Sequence, residues 1–414
     1  MPRRYVKPTI LPDLPEQFVS EPDQLPACLE LIAKASVIGF DTEFVGEDAY
    51  RPELCLVQVS TPDHLFVIDP FGVGSLDGFW KLLLDPDRTV VLHAGREDIR
   101  LCFFQGGKPP ANVFDVQIAA GLVGMTYPIG YGGLVSELLG QRMNKGETLT
   151  DWRRRPLLPA QVRYAYDDVR YLLPAWKKLT DKLKRLKRMP WAEEEFTAAV
   201  SKAVGDEETA AEKWRKVKGI GGLDRRQLAV AREVFGWRDQ FAERVNRPPR
   251  QLLRDDLLVE VARRMPTKTE ELASYRGVPG KEVEKILEAV RRAKALTPEQ
   301  CPEPEARDND PPHVVLLGTL LGVALADWCT RNKLAANLVS SGSDLKAIVR
   351  SKVSRKALPN IPLTRGWRAS AVLTELQAIL DGTTAIRVAN PRVAAPLGFV
   401  DWEEPPPEPV TDTL

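Results

Sequence analysis

The chain has 414 residues, 43% of them hydrophobic and 28% charged, with a formal net charge of +1. That length is too great for one ordinary compact domain, so two or three are expected in a soluble globular chain. The near-neutral balance excludes a uniformly basic nucleic-acid binder but leaves room for local basic patches.

SVIGF, LCLVQVS and HLFVIDP are short and rich in Val, Ile, Leu and Phe, so three strands are expected early, with TVVLHA as a fourth. EDIRLCFFQ and NVFDVQIAAGL follow with helical apolar spacing. Strands followed by alternating helix and strand predict an α/β domain with a mixed sheet over residues 1–200. From Arg225 the pattern is almost wholly helical, interrupted by RPPR, MPT and RGVPG, and a helical domain over 201–298 is expected. The acidic, proline-rich stretch 299–313 reads as a linker. A second helical block is expected over 314–390, and it repeats the first in order: a long helix with a central Trp (Trp237, Trp328), a shorter helix, then a final one. The segment 391–414 reads as a disordered acidic tail. No apolar run approaches membrane-spanning length, and no membrane partner is expected. The five cysteines (Cys28, Cys55, Cys102, Cys301, Cys329) form no CxxC pair and no zinc spacing, and read as reduced core residues of a cytoplasmic protein.

Three stretches carry candidate chemistry. In VIGFDTEF, Asp41 and Glu43 end an apolar strand, and residues i and i+2 of a strand share a face. Two adjacent carboxylates repel unless they share a proton or a cation, and a hard divalent ion accepts oxygen ligands in that arrangement. An exposed strand end accounts for the same pair without any ion. In VVLHAGREDIRLC the strand breaks at Gly95, and Asp98 falls in the first turn of a helix, where an acid also serves the helix dipole. In RYAYDDVRYLLPAW, a rotation of about 100° per residue puts Val162, Ala165, Val169, Leu172 and Trp176 on one apolar stripe. Asp167 then faces solvent, while Tyr164 and Asp168, four residues apart, share a flank of the core face.

DTEF, then HAxxED, then YAxxDVxYLLP, in that order over some 130 residues, resemble the tyrosine-type DEDD exonucleases, and within them the ribonuclease D family. The two helical blocks are similar to HRDC domains, small nucleic-acid-binding modules. The resemblance implies a ribonuclease-H-like α/β exonuclease domain followed by two small all-α domains. It implies that Asp41, Glu43, Asp98 and Asp168 hold two divalent ions (Mg²⁺ or Mn²⁺). One would be held by Asp41, Glu43 and Asp168, the other by Asp41 with Asp98. Tyr164 would orient the attacking water. Thr42, Phe44, His93 and Lys145 are the substrate-binding candidates, and Gln58 and Asp115 are implied to support the site. The implied function is 3′→5′ trimming of RNA ends, tRNA precursors above all, to nucleoside 5′-monophosphates by a monomer. A DNA exonuclease and an RNA-binding protein with an inactive nuclease domain are the alternatives. The run WKKLTDKLKRLKR and the cluster Arg153–Arg155 are candidates for tracking phosphates.

Overall fold

The structure, a computed structural model, describes residues 8–143, 151–205, 212–273, 275–304 and 310–402. Six strands form one sheet: β1 (Glu16–Val19), β2 (Val37–Val45), β3 (Glu53–Ser60), β4 (Leu65–Ile68), β5 (Thr89–Leu92) and β6 (Val113–Asp115). Their order is β1-β4-β3-β2-β5-β6. β2–β3 and β3–β4 are antiparallel, whereas β1–β4, β2–β5 and β5–β6 are parallel. The sheet is therefore mixed, as expected, but two of its strands were not. EQFV is too short to show periodicity and becomes β1 only by pairing with β4. NVFDVQIAAGL is a strand before it is a helix, because Asp115 ends β6 and caps the following helix with its carboxylate, 2.8 Å from the Gln117 N–H.

The main helices of the exonuclease-like region are α1 (Leu25–Ala33), α2 (Asp77–Leu83), α3 (Arg96–Gly106), α4 (Val116–Leu122), α5 (Tyr131–Leu139), α6 (Pro159–Arg170), α7 (Leu172–Arg185) and α8 (Met189–Val204). α6 and α7 are separate helices hinged at Tyr171. Pro174 has no N–H to offer the carbonyl one turn earlier, and its ring crowds that turn, so one continuous helix is not available there.

The two helical blocks are built on different principles. α9 (Arg225–Val245), α10 (Asp255–Arg264) and α11 (Val283–Ala295) enclose a core of their own around Trp214, Leu228, Val234, Leu258 and Ile286. In contrast, α12 (Pro312–Asn332), α13 (Gly342–Val353) and α14 (Thr374–Leu380) share one continuous core with the sheet and its helices. Leu122, Val135, Leu325, Leu338 and Trp367 all belong to it. Polar brackets reinforce that seam. Trp191 stacks on Trp367 with ring centroids 4.5 Å apart, and Arg188 donates to the carbonyls of Leu122 (2.7 Å) and Lys333 (2.8 Å).

Two expectations are corrected. The tail does not lose structure at 391: β7 (Thr384–Val388) and β8 (Leu397–Asp401) form an antiparallel hairpin. LGFV supplies the apolar residues for it, and Phe399 lies under the Arg331 guanidinium at 4.7 Å; the Pro- and Glu-rich run starts only at 403, outside the described residues. α12 is, by length and composition, apolar enough to cross a membrane, contrary to the reading of the bare sequence. Its Val314, Leu321, Ala324, Leu325 and Cys329 are buried in the shared core, whereas Leu316 is 70% exposed.

Candidate active site

Asp41 and Glu43 do not end β2. The strand continues to Val45, with a register shift between Glu43 and Phe44. What ends is the neighbour: β5 pairs with β2 only over Val37–Gly39. Beyond Gly39 one edge of β2 is open, and the two carboxylates stand there at the carboxyl end of the parallel segment. Carboxylate oxygens of Asp41, Glu43 and Asp168 lie within 4.8 Å of one another. Asp168 comes from the last turn of α6, which packs across β2 and β3.

The helical phase read from YAYDD holds. Asp168 is buried, while Asp167 is turned outward and bonded to Arg170 at 2.9 Å. Tyr164 sits one turn before Asp168, where its hydroxyl acts on that carboxyl group. The ring lies against Trp152, with centroids 6.0 Å apart.

Asp98 arrives by a different route. It is buried in the first turn of α3, and its Oδ1 accepts a 2.6 Å bond from the Thr42 hydroxyl. The turn that aims α3 is strained: Ala94 has φ of +53°, a left-handed conformation rare for a residue with a Cβ. Asp115 braces this turn by accepting from the Ala94 N–H (3.2 Å) and the Gly95 N–H (3.3 Å). One carboxylate at the end of β6 thus holds both the turn before α3 and the start of α4.

Crowding shows in the protonation of the acids. Burial, then the Asp98, Asp168 and Glu43 charges, holds the Asp41 pKa well above the usual carboxylate range. Burial and then Asp98 push Glu43 up to about 8. Burial, then Glu43 and Asp167, raise Asp168 to about 8, against the opposing influence of the Tyr164 hydroxyl. Asp98 is raised to about 6, again chiefly by burial, with the Thr42 bond pulling the other way. A compact set of hard oxygen donors that resists ionising together fits divalent cations, which supply the missing positive charge.

The substrate-binding candidates are placed unevenly. Thr42 is only 6% exposed, and its hydroxyl is committed to Asp98 rather than to the open cleft. His93 Nε2 bonds the Ile129 carbonyl at 2.9 Å, and burial lowers its pKa, so its ring is a neutral brace between β5 and the segment before α5. Phe44 lines a shallow crevice with Pro52, Glu97, Arg100, Leu101 and Phe104, bounded by the neighbours of Glu43 on one side and of Asp98 on the other. Lys145 lies outside the described residues.

Part of each basic cluster is committed to the fold. Arg155 bonds Asp69 at 2.8 Å and the Cys55 carbonyl at 2.9 Å, and Arg153 bonds Asp151 at 3.1 Å. In the WKKLTDKLKRLKR run, Lys178 bonds the Thr9 hydroxyl at 2.7 Å, and Arg188 is buried in the seam with the second block.

Comparisons with known proteins agree with this geometry. A family model for 3′–5′ exonucleases matches residues 17–184, and one for the HRDC domain matches 227–293. Ribonuclease D of Gluconacetobacter diazotrophicus is 34% identical over 384 residues, which cover 91% of this chain and 95% of its own. Ribonuclease D of Acidiphilium cryptum is likewise 34% identical, covering 92% and 95%. Among solved structures, RNase D of Escherichia coli, an exoribonuclease involved in structured RNA processing, superposes with a TM-score of 0.76 at 29% identity, covering 89% of this chain and 99% of its own. The catalytic core of RRP6 from Trypanosoma brucei gives 0.53 at 26%, covering 69% and 81%. With the ordered acids converging at one sheet edge and the similarity running nearly end to end, the chain belongs to the ribonuclease D family of 3′→5′ exoribonucleases.

Proposed function

We propose that this chain removes nucleotides one at a time from RNA 3′ ends, releasing nucleoside 5′-monophosphates, at a site formed by Asp41, Glu43, Asp98, Tyr164 and Asp168. The observation that carries the reading is the convergence of Asp41, Glu43 and Asp168 within 4.8 Å, with Tyr164 beside Asp168. Asp41, Glu43 and Asp168 would hold one divalent ion, and Asp41 with Asp98 a second, Mg²⁺ or Mn²⁺. Such ions supply charge compensation on both sides of the scissile phosphodiester. Tyr164 orients the attacking water rather than deprotonating it, because burial and the neighbouring acids raise its pKa above an already high phenol value. Phe44 and its crevice offer an apolar surface to the terminal bases. Structured RNA such as a tRNA precursor is the proposed substrate, and the HRDC domain is the proposed second grip on it. The enzyme is proposed to act as a cytoplasmic monomer.

The test is a trimming assay on matched RNA and DNA oligonucleotides with free 3′ hydroxyls, with Mg²⁺, with Mn²⁺ and with chelator. Asp41→Asn and Asp168→Asn are expected to lower the rate by at least about a thousandfold, corresponding to several kcal/mol of lost transition-state stabilisation. Asp167→Asn removes only a partly exposed pair and should stay within about fivefold of the parent. Equal losses at Asp167 and Asp168 would refute the site, and equal turnover of DNA would refute the RNA preference.

A further inference from the structure

The face of the sheet that carries Asp41 also carries polar groups that the proposed chemistry does not use. Gln58 stands directly opposite Asp41, and Ser60 opposite Gly39, in the β2–β3 register. Directly opposed residues of an antiparallel pair project to the same face. That face looks toward the α6–α7 junction, since a Cβ on Gly39 would lie 2.2 Å from Ser60 Oγ and 3.0 Å from Leu172 Cβ. Gln58 therefore lies between the strand that carries Asp41 and the helix that carries Asp168.

Gln58 is fully buried, and neither its amide nitrogen nor its amide oxygen has a hydrogen-bond partner. The same holds for Ser60 Oγ, the Tyr131 hydroxyl and Asp168 Oδ2. Tyr131 opens α5 and packs on His93 with ring centroids 5.3 Å apart. The charges that act on its hydroxyl are first Asp168 and then Asp41. Of the eleven partnerless buried side-chain atoms among the described residues, four thus belong to Gln58, Ser60 and Tyr131, and a fifth is Asp168 Oδ2 itself. Their chemistry is complementary: the amide N–H₂ and two hydroxyls donate, and ionised carboxylates accept. Buried polar groups are ordinarily hydrogen-bonded, so a cluster of donors at one carboxylate pair marks a use for them.

We propose that Gln58, Ser60 and Tyr131 form a hydrogen-bonding floor that orients the Asp41 and Asp168 carboxylates for divalent cations and so sets the affinity of the site for them. The proposal rests on the reading of these acids as a metal centre. The floor acts through the ligands and touches no substrate; its members are positioning residues. Its donors match the carboxylates in their ionised form, the form that a cation requires.

The experiment uses the full chain without RNA. Mn²⁺ binding is followed by electron paramagnetic resonance of the free ion, and thermal unfolding is measured with and without Mn²⁺, for the parent, Gln58→Met and Tyr131→Phe. Each variant is expected to weaken Mn²⁺ binding by about 10–100-fold, the range for residues that orient metal ligands. The metal-free melting temperature is expected to hold or rise, because each substitution removes a buried polar group that has no partner in the fold. Unchanged Mn²⁺ affinity in either variant overturns the shared floor. A lower metal-free melting temperature in both overturns it too, by revealing a purely structural role. A parent chain that binds no Mn²⁺ would instead remove the metal-centre reading beneath the proposal, which is a distinguishable result.

Discussion

At the scale of single residues, the acids cannot all ionise unaided. Glu43 and Asp168 are each held near 8, chiefly by burial, and Asp41 is also raised. A carboxyl group whose folded pKa exceeds its unfolded value binds more protons in the folded state. Its contribution favours the fold at low pH and is lost as pH rises from about 4, the unfolded value, toward the folded one. Metal-free protein should therefore lose melting temperature between pH 5 and pH 8, whereas saturating Mn²⁺ should largely remove that slope. Cation and proton compete for the same oxygens, so Mn²⁺ affinity should rise over this interval. A metal-free melting temperature that climbs from pH 5 to pH 8 would contradict this crowding of acids. Part of this was legible in the sequence: alternation put Asp41 and Glu43 on one strand face, and helical phase separated Asp168 from Asp167. The Thr42–Asp98 bond and the Asp115 brace were not, because both join residues that are distant in the chain.

At the scale of elements, the site depends on where pairing stops. β2 pairs with β5 over Val37–Gly39 and with β3 from Gly39 to Val45, so the β5 edge is open beyond Gly39. That asymmetry opens the cleft at Asp41. Gly39 is also where the face toward α7 is tightest, since a methyl group there would meet Ser60 and Leu172. Gly39→Ala should destabilise the chain by about 1–3 kcal/mol, the usual cost of overpacking a close-packed core. It should weaken Mn²⁺ binding as well, by pushing Ser60 and α7 away from Asp41. Urea unfolding and a Mn²⁺ titration of the same sample measure both, and a stability within 0.5 kcal/mol or so of the parent would show that the strand and helix give way easily. Element types followed from periodicity wherever segments were long. The misses, β1 and β6, are four and three residues long and owe their conformation to their partners.

At the scale of the whole molecule, the two helical blocks meet the nuclease in unlike ways. The second shares its core, with Arg368 paired to Glu195 and Trp367 Nε1 bonded to Glu195 at 2.7 Å. The first has a separate core and reaches the loop after β2 through polar contacts. Tyr50 bonds Asp239 at 3.1 Å, Arg51 Nη2 lies 2.6 Å from Glu243, and the Arg51 N–H bonds Asn246 at 3.1 Å. The Arg368–Glu195 side chains are each 12% exposed, whereas Arg51 and Glu243 are 58% and 50% exposed. Breaking a buried pair strands a charge, and Glu195→Ala should cost about 3 kcal/mol in denaturant. A double-mutant cycle on Arg51 and Glu243 should give a coupling below about 1 kcal/mol that fades with added salt. Comparable couplings at the two seams would mean that the blocks are equally fused to the nuclease. The first block is thus fastened lightly to the loop that leaves the Glu43–Phe44 end of β2.

The sequence by itself determined the mixed α/β class, the two helical blocks, the ordered acids and which aspartate of YAYDD is turned inward. These follow from local rules: strand alternation, helical phase, and the proline and glycine breaks between elements. Only the tertiary structure decided that the cleft opens where β5 stops pairing, that the Thr42 hydroxyl is bonded to Asp98 and His93 to the Ile129 carbonyl, and that the second block joins the nuclease core. It also decided that Gln58 stands opposite Asp41 and that the side-chain polar atoms of Gln58, Ser60 and Tyr131 are buried without hydrogen-bond partners. Each of those outcomes depends on strand register or on packing between segments far apart in the chain, and periodicity within one segment carries no record of what lies across from it.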